Sequence, residues 1–214
     1  MLAQRAEFQQ TKQRGDDFYL SLAKQTKLLT LNDAKTYVES YLSALLKDYI
    51  RRGLGQEEEK LTVWEQVLIY KYSLDGFESL NAALREGKPH PMERLLNEAL
   101  DKLENYQENI FRGVVLTKGQ KQFFKELHEM QGTFVEPAFV SSSKSKRVAT
   151  MYAKTDTLLN IQSERGKEIE RFSFYGVGNP MNEKEVLMKS KTVFEVVGVE
   201  QGLWTTEIFL REMV

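Results

Sequence analysis

The strongest constraint on the fold is a change of hydrophobic pattern near the middle of the chain. In about the first hundred residues, apolar side chains recur every three or four positions, the spacing that collects them on one face of a helix. The second half has short apolar runs rich in β-branched and aromatic residues, separated by turn residues, which are typical of strands. Helices followed mainly by strands, without regular alternation, predict an α+β fold with a largely antiparallel sheet rather than a Rossmann domain.

Capping and turn residues bound the predicted elements. Asn32 is the expected N-cap of the longest helical segment, Gly53 follows its end, and Pro91 disfavours helix at His90. The predicted helices are 31–52, 61–72, 77–85, 92–103, 119–130 and 146–153. The predicted strands are 110–116, 134–140, 157–161, 169–175, 185–188, 192–199 and 205–211.

Composition excludes several classes of protein. The chain has 214 residues, of which 41% are hydrophobic, and this is enough for one sizeable core. Its 30 basic and 31 acidic residues leave a formal charge of −1, which gives no general attraction to nucleic acid or to an anionic membrane. No apolar run is long enough to span a bilayer, and the polar first residues lack the hydrophobic region of a secretory signal. We therefore expect a protein of the cytoplasm, or one delivered into the cytosol of a target cell by a non-Sec route.

Rare residue types exclude several kinds of site. Because the chain has no cysteine, it can form no disulfide, thiolate metal site or cysteine nucleophile. His90 and His128 are its two histidines, which is too few for a His-rich zinc site. We therefore expect no metal.

Three polar groups in the second half could carry chemistry. Arg112 lies within an otherwise apolar strand, where a charge needs an edge, a partner or a ligand. A strand that ends in serines places Ser141 and Ser143 on one face. On a strand, Glu183 and Glu185 would also share a face, with Cα atoms about 6–7 Å apart, and paired carboxylates can divide acid–base and charge-stabilising roles. Taken singly, each group is more typical of a solvated, ion-paired or capping residue.

A glycine-containing turn, GVGNP at 176–180, stands directly before the two glutamates. It does not match a dinucleotide-binding fingerprint, because Met181 occupies the place of the third glycine and no helix follows. The segment is either a plain hairpin turn or a mobile loop that faces a target.

Taken in order, these segments resemble a known pattern. Arg112, then FVSSS at 139–143, then EKEVL at 183–187 is similar to the Arg–Ser–Glu signature of mono-ADP-ribosyltransferases, in the arginine-directed branch of bacterial toxins, effectors and phage enzymes. The segments IYKYSLDGF at 69–77 and LNAALR at 80–85 also resemble the helices that precede the first strand of that family. The resemblance implies an ADP-ribosyltransferase-like split β-sandwich over 61–214, packed as one unit with an N-terminal helical extension at 1–60.

The resemblance also implies a role for each motif residue, with NAD as the substrate. Arg112 would bind the phosphates or ribose of NAD, and the backbone of Gly113 would bond the nicotinamide amide. Ser141 would hold Glu185 in place, and Glu185 would bond the ribose 2′-OH and stabilise an oxocarbenium-like transition state. Glu183 would accept a proton from the incoming guanidinium, since a glutamate at the first acidic position marks arginine modification in this family.

The segment that normally folds over nicotinamide departs from the family pattern. That segment, 162–167, contains no aromatic residue here. We expect Tyr152 or Arg165 to supply the missing contact with the cofactor.

Three functions remain open at this point. The first is transfer of ADP-ribose from NAD to an arginine of a target protein, and the second is hydrolysis of NAD by water at the same site. The third is a non-catalytic interaction module on the same scaffold. The presence of Glu183 favours the first, because hydrolysis has less need of a second acid. We expect a monomer with no stable nucleic-acid partner and no membrane contact.

Overall fold

The computed structural model describes residues 33–56, 60–151, 156–203 and 205–214. Within these ranges the chain forms seven α-helices, one π-helical turn and nine strands. No helix in the described ranges is both long and apolar enough to cross a bilayer. The α+β prediction is confirmed.

Five helices precede the strands, and two more lie between strands. The predicted helix 31–52 is two helices, because the backbone leaves helical geometry at Leu42 (φ −123°, ψ 21°). Asp33 caps the first of them by accepting a 2.7 Å bond from Thr36 N, whereas the predicted cap Asn32 lies outside the described residues. The helices are α1 Ala34–Tyr41, α2 Ser43–Arg51, α3 Val63–Lys71, α4 Phe77–Arg85, α5 Pro91–Asp101, α6 Lys118–Glu129 and α7 Lys146–Met151, and the π-helix Tyr72–Gly76 joins α3 to α4.

The nine strands form one sheet in the order β1-β6-β7-β4-β2-β5-β9-β8-β3. Each neighbouring pair is antiparallel except β5 and β9, which are parallel. A single residue pair, Phe111 and Ser143, joins β4 to β2, so the sheet divides into two halves at this junction. The strands are β1 Asn105–Tyr106, β2 Asn109–Val114, β3 Thr133–Glu136, β4 Val140–Ser143, β5 Thr157–Gln162, β6 Gly166–Glu168, β7 Glu185–Met188, β8 Thr192–Gln201 and β9 Thr206–Met213.

Two predicted strands differ from the structure. The predicted strand 134–140 is β3 and β4 with a break at Pro137, which has no N–H for a ladder. The segment 169–175 forms turns, since Phe172 N and Ser173 N both donate to Ile169 O at 2.9 Å. Ile169 and Phe172 of this segment are nevertheless buried, in a hydrophobic cluster formed mainly by the helices.

The two glutamates do not lie on one strand. β7 begins at Glu185, and Lys184 before it has a left-handed backbone with φ of 49°. The prediction that strand alternation puts both carboxylates on one face was therefore wrong, and Glu183 reaches its position from a loop.

Two hydrophobic cores support the sheet. One lies among the helices and includes Tyr37 and Val38 of α1 together with Val67 and Leu68 of α3. The other, which includes Leu127 of α6, is formed mainly by side chains of the strands. The first N-terminal helix therefore contributes to the same core as α3, the helix that leads into the cavity described next.

Candidate active site

A cavity of about 540 Å³ opens where the two halves of the sheet meet. The π-helix, α4, β2, β4, α7 and the start of β7 contribute to its lining, together with the segment between β6 and β7. Five of the residues predicted from the sequence line it: Arg112, Gly113, Ser141, Glu183 and Glu185. The fold thus brings together residues that are as far as 73 positions apart in the chain, from Arg112 to Glu185.

The carboxylate of Glu185 is held by two serines. Ser141 Oγ on β4 donates to Glu185 Oε1 at 2.7 Å, which is possible because β4 and β7 are paired neighbours. Ser173 Oγ, from the turn after β6, donates to Glu185 Oε2 at 3.0 Å. Glu185 is only 4% exposed, so both of its oxygens are fixed in a buried position.

Burial raises the pKa of Glu185 to about 7, and the charge of Glu183 adds to the rise. The hydrogen bonds from the two serines and the charge of Arg112 act in the opposite direction and are outweighed. Buried carboxyls whose pKa is raised by a neighbouring acid are common in active sites, which makes Glu185 a candidate catalytic residue.

A tyrosine and an asparagine from the helices orient Ser141. Tyr72 Oη lies 3.3 Å from Ser141 Oγ, and Asn81 Nδ2 donates to Tyr72 Oη at 3.2 Å. Because the hydroxyl proton of Ser141 is donated to Glu185, Tyr72 is the donor in the bond between Tyr72 and Ser141. Burial raises the pKa of Tyr72 to about 12, which keeps that proton in place. Asn81 is fixed in turn by Phe139 of the segment before β4, whose N–H donates to Asn81 Oδ1 at 3.1 Å.

Arg112 reaches across the junction between the two halves of the sheet. Its Nη1 donates to Ser141 O at 2.8 Å, so a side chain of β2 is bonded to the backbone of β4. Burial lowers the pKa of Arg112 below its usual value, but a guanidinium stays charged throughout the physiological range. The cavity therefore has a fixed positive group on one wall and the carboxylate of Glu185 on another.

Glu183 is placed by backbone contacts on both sides. Its N–H donates to Tyr175 O at 2.9 Å, and its carbonyl oxygen accepts a 2.7 Å bond from Ser143 Oγ. The loop 176–182 leads into it and carries exposed apolar side chains, Val177 and Met181.

Two of the residues predicted from the sequence remain, Tyr152 and Arg165. Tyr152 lies outside the described residues. Arg165 does not line the cavity, and the prediction that it contacts the cofactor has no support here. Its Nε lies 3.5 Å from Glu212 Oε1 and its Nη2 donates to Met213 O at 2.8 Å, because it follows β5 at the end where β9 finishes.

Several residues of the lining or its support were not predicted from the sequence. Tyr175 and Phe111 supply aromatic surface in the cavity, whereas the family pattern directs attention to 162–167. Asn81 could have been singled out from the sequence, because it is a polar residue on the apolar face of α4, and buried polar residues usually have a specific partner. The described residues contain no group of three or more histidine, aspartate and glutamate side chains that could hold a metal ion.

Comparison with known proteins identifies relatives of this chain. A family model described as NAD:arginine ADP-ribosyltransferase matches residues 65–214. The NAD(+)–protein-arginine ADP-ribosyltransferase Tre1 of Serratia proteamaculans is 30% identical over an alignment of 155 residues that covers 68% of this chain and 31% of that protein. The chain thus spans about a third of the length of this curated relative.

Solved structures share the fold. Exoenzyme S from Pseudomonas aeruginosa, in complex with human 14-3-3 protein beta and carba-NAD, has a TM-score of 0.66 at 20% identity, over 84% of this chain and 86% of that chain. A truncated form of the type III effector XopAI from Xanthomonas axonopodis pv. citri has a TM-score of 0.64 at 18% identity, over 98% and 99%. The family match includes the whole lining of the cavity, from Tyr72 to Glu185. The chain therefore belongs to the NAD:arginine ADP-ribosyltransferase family.

Proposed function

We propose that this protein transfers ADP-ribose from NAD to an arginine side chain of a target protein and releases nicotinamide. The observation that carries the proposal is the cavity in which Arg112, Glu183 and Glu185 meet, with Glu185 held by Ser141 and Ser173. A fixed cation suits the phosphates of NAD, and two acids in different settings suit a reaction that must stabilise a cation and remove a proton.

The residues of the cavity are compatible with NAD. A volume of about 540 Å³ lies within the usual range for small-molecule sites. The guanidinium of Arg112 offers a fork of donors for a pyrophosphate, and Gly113 has no side chain to prevent close approach of the nicotinamide amide. Phe111 and Tyr175 line the same cavity and offer apolar ring surface.

The two carboxylates have separate tasks in this proposal. Glu185, when ionised, bonds the ribose hydroxyl and stabilises the positive charge that develops at the ribose carbon as its bond to nicotinamide breaks. The bonding electrons leave with nicotinamide. Glu183 accepts the proton that the guanidinium nitrogen of the acceptor loses as it bonds to the same carbon. Water needs less help than a guanidinium in attacking such a carbon, so hydrolysis depends less on Glu183.

The test compares Glu185→Gln with Glu183→Gln, with nicotinamide release and labelling of agmatine measured side by side. We expect Glu185→Gln to lose both activities, by about a hundred- to a thousand-fold, because it removes a preorganised charge. Glu183→Gln should lose labelling of agmatine and keep measurable nicotinamide release. Glu195→Gln serves as the control, because Glu195 pairs with Arg211 outside the cavity. Transfer at the wild-type rate by Glu183→Gln would falsify the proposed division of roles.

The acceptor in the cell is a protein in this proposal. Incubation of the protein with labelled NAD and a cell lysate should label a discrete band, and Glu183→Gln should not. Label that resists protease but is lost on nuclease treatment would show a nucleic-acid acceptor and contradict the proposal.

A further inference from the structure

The loop 176–182, which leads into Glu183, is fastened at both ends by one residue. Glu170 lies two residues after β6, and its side chain is 15% exposed. Its backbone oxygen accepts a 3.1 Å hydrogen bond from Val177 N at the start of the loop. Its carboxylate Oε1 accepts a 2.6 Å bond from Asn182 Nδ2 at the end of the loop.

Lys144 holds the carboxylate of Glu170 from the other side. Its Nζ lies 2.9 Å from Glu170 Oε2, and its backbone N–H donates to Lys184 O at 3.0 Å. Burial alone would raise the pKa of Glu170, but the hydrogen bonds from Asn182 and Lys144 outweigh it and hold the pKa below its usual value. The group is therefore charged at neutral pH and paired on both oxygens.

The amide of Asn182 connects this anchor to the backbone around Glu183. While its Nδ2 donates to Glu170, its Oδ1 accepts a 2.8 Å bond from Lys184 N. The second of these bonds spans Glu183 and stabilises the left-handed backbone of Lys184, and the first fixes the amide that accepts it. The direction in which the Glu183 side chain leaves the loop thus depends on where Asn182 is held.

Close packing at Gly176 is a second sign that the loop is built on Glu170. A Cβ atom at Gly176 would lie 1.7 Å from Glu170 O, a distance that no side chain can occupy. Glycine is required here because the two backbones pass in direct contact.

We propose that Glu170, together with Lys144 and Asn182, positions Glu183 and thereby sets the rate of transfer to arginine relative to hydrolysis of NAD. This inference rests on the proposed function. Glu185 has its own support in Ser141 and Ser173, so loss of the Glu170 anchor displaces the acid that acts on the acceptor and leaves the acid that acts on the ribose. Glu170 is a positioning residue, since it does not line the cavity itself.

The experiment uses Glu170→Ala and Asn182→Ala in the full chain. Transfer to agmatine should fall about ten- to a hundred-fold, because small displacements of a reacting group cost this much. Nicotinamide release without an acceptor should stay within about twofold of wild type, since Glu185 is untouched. Glu170→Gln can still accept the bond from Asn182, so it should recover part of the transfer. Glu168→Gln is the matched control, because Glu168 also pairs with Lys144, at 2.7 Å, but lies on β6 before the loop.

Hydrogen exchange of the backbone amides gives a readout independent of catalysis. In Glu170→Ala, amides of 176–183 should exchange faster than in wild type, while those of β2 should not change. Unchanged transfer in Glu170→Ala, or an equal fall of transfer and nicotinamide release, would overturn the inference and leave the proposed function intact. A wild-type protein that labels no guanidinium acceptor would instead overturn the proposed function, and the inference with it.

Discussion

Glu185 is almost wholly buried, and its environment sets the pH at which it can act. Its folded-state pKa of about 7 means that the ionised form, which the proposed mechanism requires, is lost as the pH falls below that value. We therefore predict that kcat/KM for nicotinamide release falls from pH 8 to pH 5.5, with an apparent pKa near 7. The apparent value depends on both glutamates, because the charge of Glu183 contributes to the raised pKa of Glu185.

The pH profile of nicotinamide release should shift when Glu183 is replaced by an uncharged residue. Glu183 raises the pKa of Glu185, so Glu183→Gln should shift the acid limb of nicotinamide release to lower pH. A profile that is flat between pH 5.5 and 8, or one that shifts to higher pH in this variant, would contradict the assignment.

At the scale of the element, α5 shows how a histidine can cap a helix. His90 Nδ1 accepts a 3.2 Å bond from Met92 N, which requires the neutral ring, and burial lowers the pKa of His90 to about 4. Between pH 6.5 and 4 the unfolded chain binds a proton that the folded chain does not. The stability from this cap is therefore lost as the pH falls through this window.

Substitution of His90 by asparagine separates the capping role from the titration. Asparagine is a good N-cap and does not titrate in this range, so wild type and His90→Asn should have similar unfolding free energies at pH 8. At pH 5 the variant should be the more stable, by on the order of 1 kcal/mol. Denaturant unfolding at both pH values measures the difference. A difference that is the same at the two pH values would show that His90 does not titrate as its burial implies.

The elements that could be predicted from the sequence are those whose pattern is local. The 77–85 helix is predicted with its observed ends because its apolar and polar residues alternate with the helical period over that range. The segment 169–175 was mistaken for a strand because apolar residues buried by a tight turn have no period that separates them from a buried strand. Glu183 was misplaced for a related reason, since the left-handed residue Lys184 interrupts the strand pattern without a glycine to mark it.

At the scale of the whole molecule, the N-terminal helices are integral to the core. Tyr49 of α2 is 2% exposed, contacts the ring of Tyr70 at 4.9 Å between centroids, and donates to Gln66 Oε1 at 3.3 Å. We predict that Tyr49→Ala lowers the free energy of unfolding by about 3–5 kcal/mol, the usual cost of emptying an aromatic site in a core. Ile50→Ala is the control on the same helix, because Ile50 is 54% exposed and its loss should cost little.

The same variants test whether 1–60 and 61–214 unfold as one unit. Helix content and nicotinamide release should be lost at the same denaturant concentration in wild type and in Tyr49→Ala. Loss of helix signal at a denaturant concentration where nicotinamide release persists would show that the N-terminal helices unfold on their own.

The sequence predicts site residues that stand in short motifs, but not contacts between residues that are far apart along the chain. Arg112, Ser141 and Glu185 each stand in a short motif, and the order of these motifs resembles a family signature, so the sequence predicts them as site residues. The contact of Tyr72 with Ser141 joins residues 69 positions apart and has no local pattern. The hydrogen bonds of Tyr72 and Asn81 form only because the helices pack against the sheet. The sequence therefore predicts the motif residues but not the hydrogen bonds that hold them.

The single residue pair that joins β4 to β2 has a mechanical consequence. Four residue pairs join β4 to β7 and six join β2 to β5, whereas one residue pair joins β4 to β2. Bending at the junction between the halves therefore disturbs fewer backbone hydrogen bonds than bending within either half. Arg112 lies on one half and Glu185 on the other, and the hydrogen bond from Arg112 to Ser141 O connects the two halves. A ligand long enough to contact both Arg112 and Glu185 therefore crosses the junction between β4 and β2. Its contacts with the two residues connect the two halves of the sheet where backbone pairing is sparse.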